Sequence, residues 1–98
     1  MSLNTGPAVG YSYKNITTTT TTLVKSGAGI LHTLTLTKPV ATGTIAIYDG
    51  IDATGTLIGT ITVPANPQPS TLTFNAHVLV GITIVTGTAA QDITVTFI

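Results

Sequence analysis

Three features of this 98-residue sequence predict an all-β fold, an antiparallel β-sandwich of about seven strands of immunoglobulin-like or jelly-roll type. From residue 16 onward apolar residues alternate with polar ones, mostly threonine, at period two. The alternating runs are short, spaced about 8 to 12 residues apart, and bounded by Gly, Pro, Asn and Asp. No stretch shows a helical period.

Residues 1 to 15 contain Gly6, Pro7 and Gly10 and no periodicity before Tyr11 and Tyr13, so they read as a flexible N-terminal arm on a single domain spanning 16–98. The first strand is expected at 16–24, "ITTTTTTLV". Threonine's branched Cβ favours the pleated backbone whichever side is buried. Thr17, Thr19 and Thr21 would share one face, and Thr18, Thr20 and Thr22 the other. Such a uniform strand specifies its register weakly. The expectation is an edge or contact strand, one threonine face on its own sandwich and the other on a neighbouring subunit.

"ILHTLTLT" (30–37) gives the clearest half-buried strand, with Ile30, His32, Leu34 and Leu36 inward. Ile45 and Ile47 share a face in "TIAIY" (44–48), and "TLIGTITV" (56–63) carries a glycine, Gly59, that suggests a bulge. After a stiff loop, "PANPQP", whose prolines cannot donate to a ladder, comes "STLTF" (70–74). "HVLVGITIVT" (77–86) is apolar on both faces and should be central. "DITVTFI" (92–98) ends the chain with Ile93, Val95 and Phe97 inward.

Charged residues make up only 6%, three Lys against three Asp, with a net charge of zero. That excludes steering of nucleic acid, anionic lipid or acidic substrates. A mean hydropathy of +0.53 with no net charge favours association, so part of the surface is expected to lie against other subunits. Without cysteine there is neither disulfide nor thiolate metal site. The N-terminal residues lack the basic and apolar regions of an export signal, and the longest apolar run, 78–85, is too short to span a bilayer, so synthesis in the cytoplasm is expected.

Candidates for chemistry are His32, His77, Asp49, Asp52, Asp92, Ser2, Ser12, Ser26 and Ser70, and none sits in a nucleophile elbow or an acid pair. His32 reads as a core or contact histidine hydrogen-bonded through its ring nitrogens. "YDGIDATG" offers too few carboxylates for a calcium loop and reads as Asp-Gly turn chemistry. The lysine of "VKSGAG" is on the wrong side for a phosphate loop. Five scattered aromatics make no base-stacking or sugar-binding strip. The expectation is a protein that is not an enzyme and holds no metal or cofactor. Threonine pairs also raise an ice-binding array, but that needs regular repeats, which are missing.

"TTTTTLVKSGAGILHTLTLT", then "IAIYDG", "TGTLIGTI", "TLTFN" and "GITIVTGTAAQDITVTFI", resembles a group of small Thr-rich proteins encoded in tailed-bacteriophage genomes. In these a Thr-rich first strand, an "SG.G.LH" turn, a "YD" hairpin and a "G...VT.GT.ADITV.." ending recur in the same order. The likeness covers residues 16–98 and rests on turns and core positions, so no ligand-binding residue carries over. It implies a virion structural protein, such as a head decoration protein acting as a homo-oligomer, with a trimer as the first expectation. Self and other virion proteins are the implied partners, with no nucleic acid and no membrane. A tail or fibre module that recognises host glycan through "DGIDATG" and "PANPQP" is the alternative. The expected contact residues are Tyr11, Tyr13, Thr17, Thr18, Thr19, Thr20, Thr21 and Thr22.

Overall fold

The computed structural model describes residues 10–98, which form no helix and eight strands. They are β1 (Ser12–Ile16), β2 (Thr21–Ser26), β3 (Gly29–Lys38), β4 (Thr44–Asp49), β5 (Thr56–Thr62), β6 (Ser70–Val78), β7 (Gly81–Gly87) and β8 (Asp92–Phe97). One sheet has the order β1-β8-β3-β6 and the other β2-β7-β4-β5, with every pair antiparallel. Every connection except β4–β5 passes from one sheet to the other. Of the two sandwich types the sequence left open, this is the strand order of a jelly roll.

The core between the sheets is wholly aliphatic. Leu31, Leu34, Leu36, Ile93 and Val95 come from the first sheet, and Ile45, Ile47, Ile82 and Ile84 from the second. The phenylalanines Phe74 and Phe97 pack only at its margin. Strand β7 lies between β2 and β4, as its two apolar faces require. Its outward Thr83 is fully buried and donates its hydroxyl to the Gly50 carbonyl at 2.9 Å. The bulge suggested by Gly59 is present: Ile47 faces Gly59 but Tyr48 faces Leu57, leaving Ile58 as the extra residue.

Three expectations are corrected. Eight strands replace seven because the threonine run does not continue as one strand. Residues 12–15, expected in the arm, form most of β1 and pair with β8; residues 1–9 lie outside the described residues. Ile16, buried in the first sheet, ends β1, and Val24 packs against the core from the second. Between them the chain must cross the ~10 Å that separates stacked sheets, and residues 17–20 make that crossing.

The crossing is pinned by a buried hydroxyl. Thr86 Oγ1 donates to the Thr18 carbonyl at 2.6 Å and accepts from the Thr20 amide at 3.0 Å, while the Thr86 amide donates to the Thr20 carbonyl at 2.9 Å. Replacing Thr86 by Val keeps the shape and removes the hydroxyl. The expected result is a loss of about 1 kcal/mol in urea unfolding, with faster amide exchange at Thr20. An unchanged Thr20 exchange rate would show that the hydroxyl does not hold the crossing.

The second correction concerns β3. A bulge between Leu31 and Thr33 in both of its ladders resets the alternation, so Leu31, Leu34 and Leu36 face inward while Ile30 and His32 turn outward. Third, His77 and Val78 belong to the end of β6, and the chain changes sheet at Leu79 and Val80 before β7 begins.

Candidate functional site

The connections sort into two ends. Residues 17–20, 39–43, 63–69 and 88–91 gather at one, joined by Val63 to Gly43 and by Gln91, which clamps the Val40 backbone through both its amide atoms. Residues 27–28, 50–55 and 79–80 gather at the other, joined by the Gly27 amide to the Val80 carbonyl and the Gly50 amide to the Gly81 carbonyl. The loops "DGIDATG" and "PANPQP" therefore sit at opposite ends and do not form one surface.

The expected contact residues are likewise divided. Tyr13 faces Thr96 and Asn15 faces Thr94, so both lie on the outer face of the first sheet, Tyr13 74% exposed. Tyr11 stacks on His32 with ring centroids 3.9 Å apart and planes tilted by 35°. Thr17, Thr18, Thr19 and Thr20 lie at the far end, and Thr21 and Thr22 begin the edge strand β2. Thr17 to Thr21 are exposed and only Thr22 is half-buried, so the expectation of one threonine face packed on its own sandwich is not met. The run's role in the fold is a crossing followed by the start of an edge.

The titratable candidates are dispersed. Ser2 lies outside the described residues; Ser12, Ser26 and Ser70 are exposed on β1, β2 and β6. His77 is exposed near the end of β6. His32, expected to be hydrogen-bonded, instead has both ring nitrogens buried with no hydrogen-bond partner. Among the described residues no group of three or more His, Cys, Asp or Glu could hold a metal ion.

All three aspartates are engaged within the fold, Asp49 and Asp52 by backbone amides and Asp92 by side chains. Asp49 accepts from three consecutive amides, Leu79 at 2.9 Å, Val80 at 2.9 Å and Gly81 at 3.3 Å, and so fixes the corner between β6 and β7. Asp52 accepts from the Thr54 hydroxyl at 2.5 Å and the Thr54 amide at 2.9 Å, the turn chemistry expected of that loop. Asp92 accepts from Asn15 at 2.8 Å and Thr37 at 2.9 Å, tying β1 and β3 to β8.

These bonds favour the ionised form, and each carboxyl is held below its ordinary value: Asp49 by the Leu79 and Val80 amides, Asp52 by Thr54, Asp92 by Asn15 and then Thr37. A folded pKa below the unfolded one contributes stability that is complete above the unfolded value and lost as pH falls through the folded values. Stability should therefore be flat from neutral pH to about 5 and decline below about 4. Urea midpoints measured across that range test this. Asp49→Asn should show a shallower acid slope, and an equal slope would place the loss at other groups.

What the geometry does concentrate is exposed apolar surface. Ten large apolar residues are exposed among the described residues, and six of them, Tyr11, Ile30, Ile51, Leu79, Val80 and Ile98, belong to the end held by Asp49. Leu79 (71% exposed) and Val80 (51%) project from the corner, and Ile51 (56%) from the turn between β4 and β5. At the same end Ile30, Ile98 and Tyr11 are exposed on the first sheet, the Ile30 and Ile98 backbones bonded to each other in both directions at 3.0 Å. Tyr13 lies further along β1, Leu57 and Leu23 lie level with Thr83 on β5 and β2, and Val40 lies at the opposite end. In the sequence, "VLVGITIV" reads as one core run, so nothing there separated Leu79 and Val80 from the buried Val78, Ile82 and Ile84.

No protein-family model, curated protein or solved structure matches this chain. The arrangement presents exposed apolar side chains at one end and a threonine-clad sheet.

Proposed function

We propose that this chain is a structural protein of a tailed-bacteriophage virion, a capsid decoration protein that acts as a homo-oligomer bound to other virion proteins. The observation that carries this reading is the clustering of exposed apolar side chains at one end of a sandwich with only 6% charged residues, each of whose carboxylates is already engaged internally. Such a surface suits permanent burial against a partner, and exposed apolar side chains gathered at one end of a domain mark interaction sites. The resemblance of residues 16–98 to small phage proteins supports the same reading. The role is assembly, not turnover.

The test is co-sedimentation of the purified protein with expanded heads of the phage that encodes it, paired with light scattering of the free protein. Saturable binding in a fixed ratio to the major capsid subunit, by a protein that is oligomeric in solution, is expected. A clean monomer at micromolar concentration that fails to bind heads would sink the proposal. The glycan-binding alternative has less to stand on, because its two loops occupy opposite ends and neither 50–55 nor 64–69 contains an aromatic residue to stack on a sugar ring.

A further inference from the structure

We infer that the apolar end built from Ile30, Ile51, Leu79, Val80 and Ile98, with Tyr11 at its side, is the surface on which a second copy of this chain docks, end against end. This rests on the reading that the chain works as a homo-oligomer, and it assigns the contact to a surface other than the threonine run.

The apolar corner is preorganised. A corner that exposes two aliphatic side chains would be expected to be loose, yet Asp49 fixes it with bonds to three consecutive amides, and Gly27 and Gly50 bond to the Val80 and Gly81 carbonyls at 2.8 and 3.2 Å. Leu79 and Val80 are thus held outward before any partner arrives, which removes ordering entropy from association. Rigid apolar anchors of this kind carry most of the energy of an interface.

The charges at this end suit a second copy of the chain. Besides the engaged Asp49, the described residues of this end carry one carboxylate side chain on an exposed turn, Asp52, one lysine, Lys25, near the end of β2, and the exposed His77 opposite Ile30. The lysine's aliphatic stem lies against Gly29. A contact between identical surfaces sets residue i of one copy against residue j of the other and j against i. One cation and one anion flanking an apolar centre are therefore complementary to their own copy, whereas a strongly charged partner would meet no matching field.

The exposed apolar area is of the size that a dimer contact needs. Six large side chains, each about half exposed, offer on the order of 600 Å², most of the ~800 Å² that one partner gives to a standard stable interface. The remainder can come from the turn backbones around 27–28 and 52–54.

Sedimentation velocity over a range of concentrations tests the assignment. The variant Leu79→Lys with Val80→Lys changes only exposed side chains and leaves the amides that Asp49 holds, so it should keep the far-UV spectrum and melting temperature of the parent. It is expected to be monomeric where the parent associates, with a dissociation constant raised about 100-fold or more. Val40→Lys, in the 39–43 connection at the opposite end, should associate as the parent does. Asp52→Lys and Lys25→Asp should each weaken association, and the double variant should recover it.

Association of the Leu79/Val80 variant at parental strength would overturn the inference. So would a monomeric parent that binds heads while the variant does not, since the end would then face the capsid and the decoration role would stand. Association through this end by a protein that never binds heads would keep the inference and remove the decoration role.

Discussion

Gly81→Ala is expected to lose about 3 kcal/mol or more of stability, enough to leave a domain of this size largely unfolded near physiological temperature. Gly81 is buried at the start of β7, opposite Ser26 of β2. A Cβ there would lie 2.5 Å from the Lys25 carbonyl oxygen and 3.0 Å from the Gly50 carbonyl oxygen. Both are backbone atoms fixed in neighbouring segments, so neither can swing away as a side-chain tip could. Relief would require β7 to part from β2 where the Gly81 amide also serves Asp49 and its carbonyl takes the Gly50 amide.

Gly59→Ala is the control, because a Cβ at Gly59 meets nothing within 4 Å. There the change should be within about 0.5 kcal/mol of neutral or mildly stabilising, since alanine narrows the unfolded ensemble. Urea unfolding of the two variants separates a steric account from a general penalty on losing glycine. Equal effects at the two sites would refute the steric account.

The contrast between these glycines shows what the sequence can and cannot carry. Gly59 was legible as a bulge because it interrupts an alternating run, and the same local signal located β4 and β8, whose Ile45, Ile47, Ile93 and Val95 face the core as their alternation requires. Gly81 looks no different in the sequence, yet its importance comes from two segments 31 and more residues away in chain order, which no local pattern encodes.

The same limit explains the threonine run. Alternation gives the phase of a strand but not where it stops, and with six identical residues nothing local says that four of them cross between sheets. A bulge is worse, because it silently inverts the phase of everything beyond it. In β3 it moves His32 from the expected core to the outer face, and Leu31 the other way.

The candidate site was hidden for a related reason. Hydropathy marks Leu79 and Val80 as core-like, and composition required some apolar surface to be exposed without saying where. Only the sheet-to-sheet corner after β6, set by the jelly-roll connectivity, turns those two residues out at the same end as Ile30, Ile51 and Ile98. The residues that stand out in the sequence, Tyr11, Tyr13 and the threonines, do so by unusual composition. Of these, only the tyrosines fall near the apolar end.

His32→Phe is expected to make the protein more stable by about 2 kcal/mol, the opposite sign from most substitutions. Every protonation state of imidazole presents at least one N–H donor. Here both nitrogens are covered, with Tyr11 stacked over the ring and neither backbone ladder pairing residue 32. A buried polar atom without a partner gives up its hydration for nothing, about 1–3 kcal/mol per group, so removing the nitrogens while keeping a flat ring under Tyr11 should recover part of that loss. For a domain of this length, the gain corresponds to a rise in melting temperature of roughly 8–16 °C. Tyr11→Ala supplies the complementary test. It forfeits the ring contact but opens His32 to water, so it should destabilise the parent less than it destabilises the His32→Phe protein. A double-mutant cycle measured by urea unfolding reads that difference directly. If His32→Phe were less stable than the parent, the imidazole nitrogens would have to be engaged in solution, and the stacked pair would be a hydrogen-bonded element instead of a strained one.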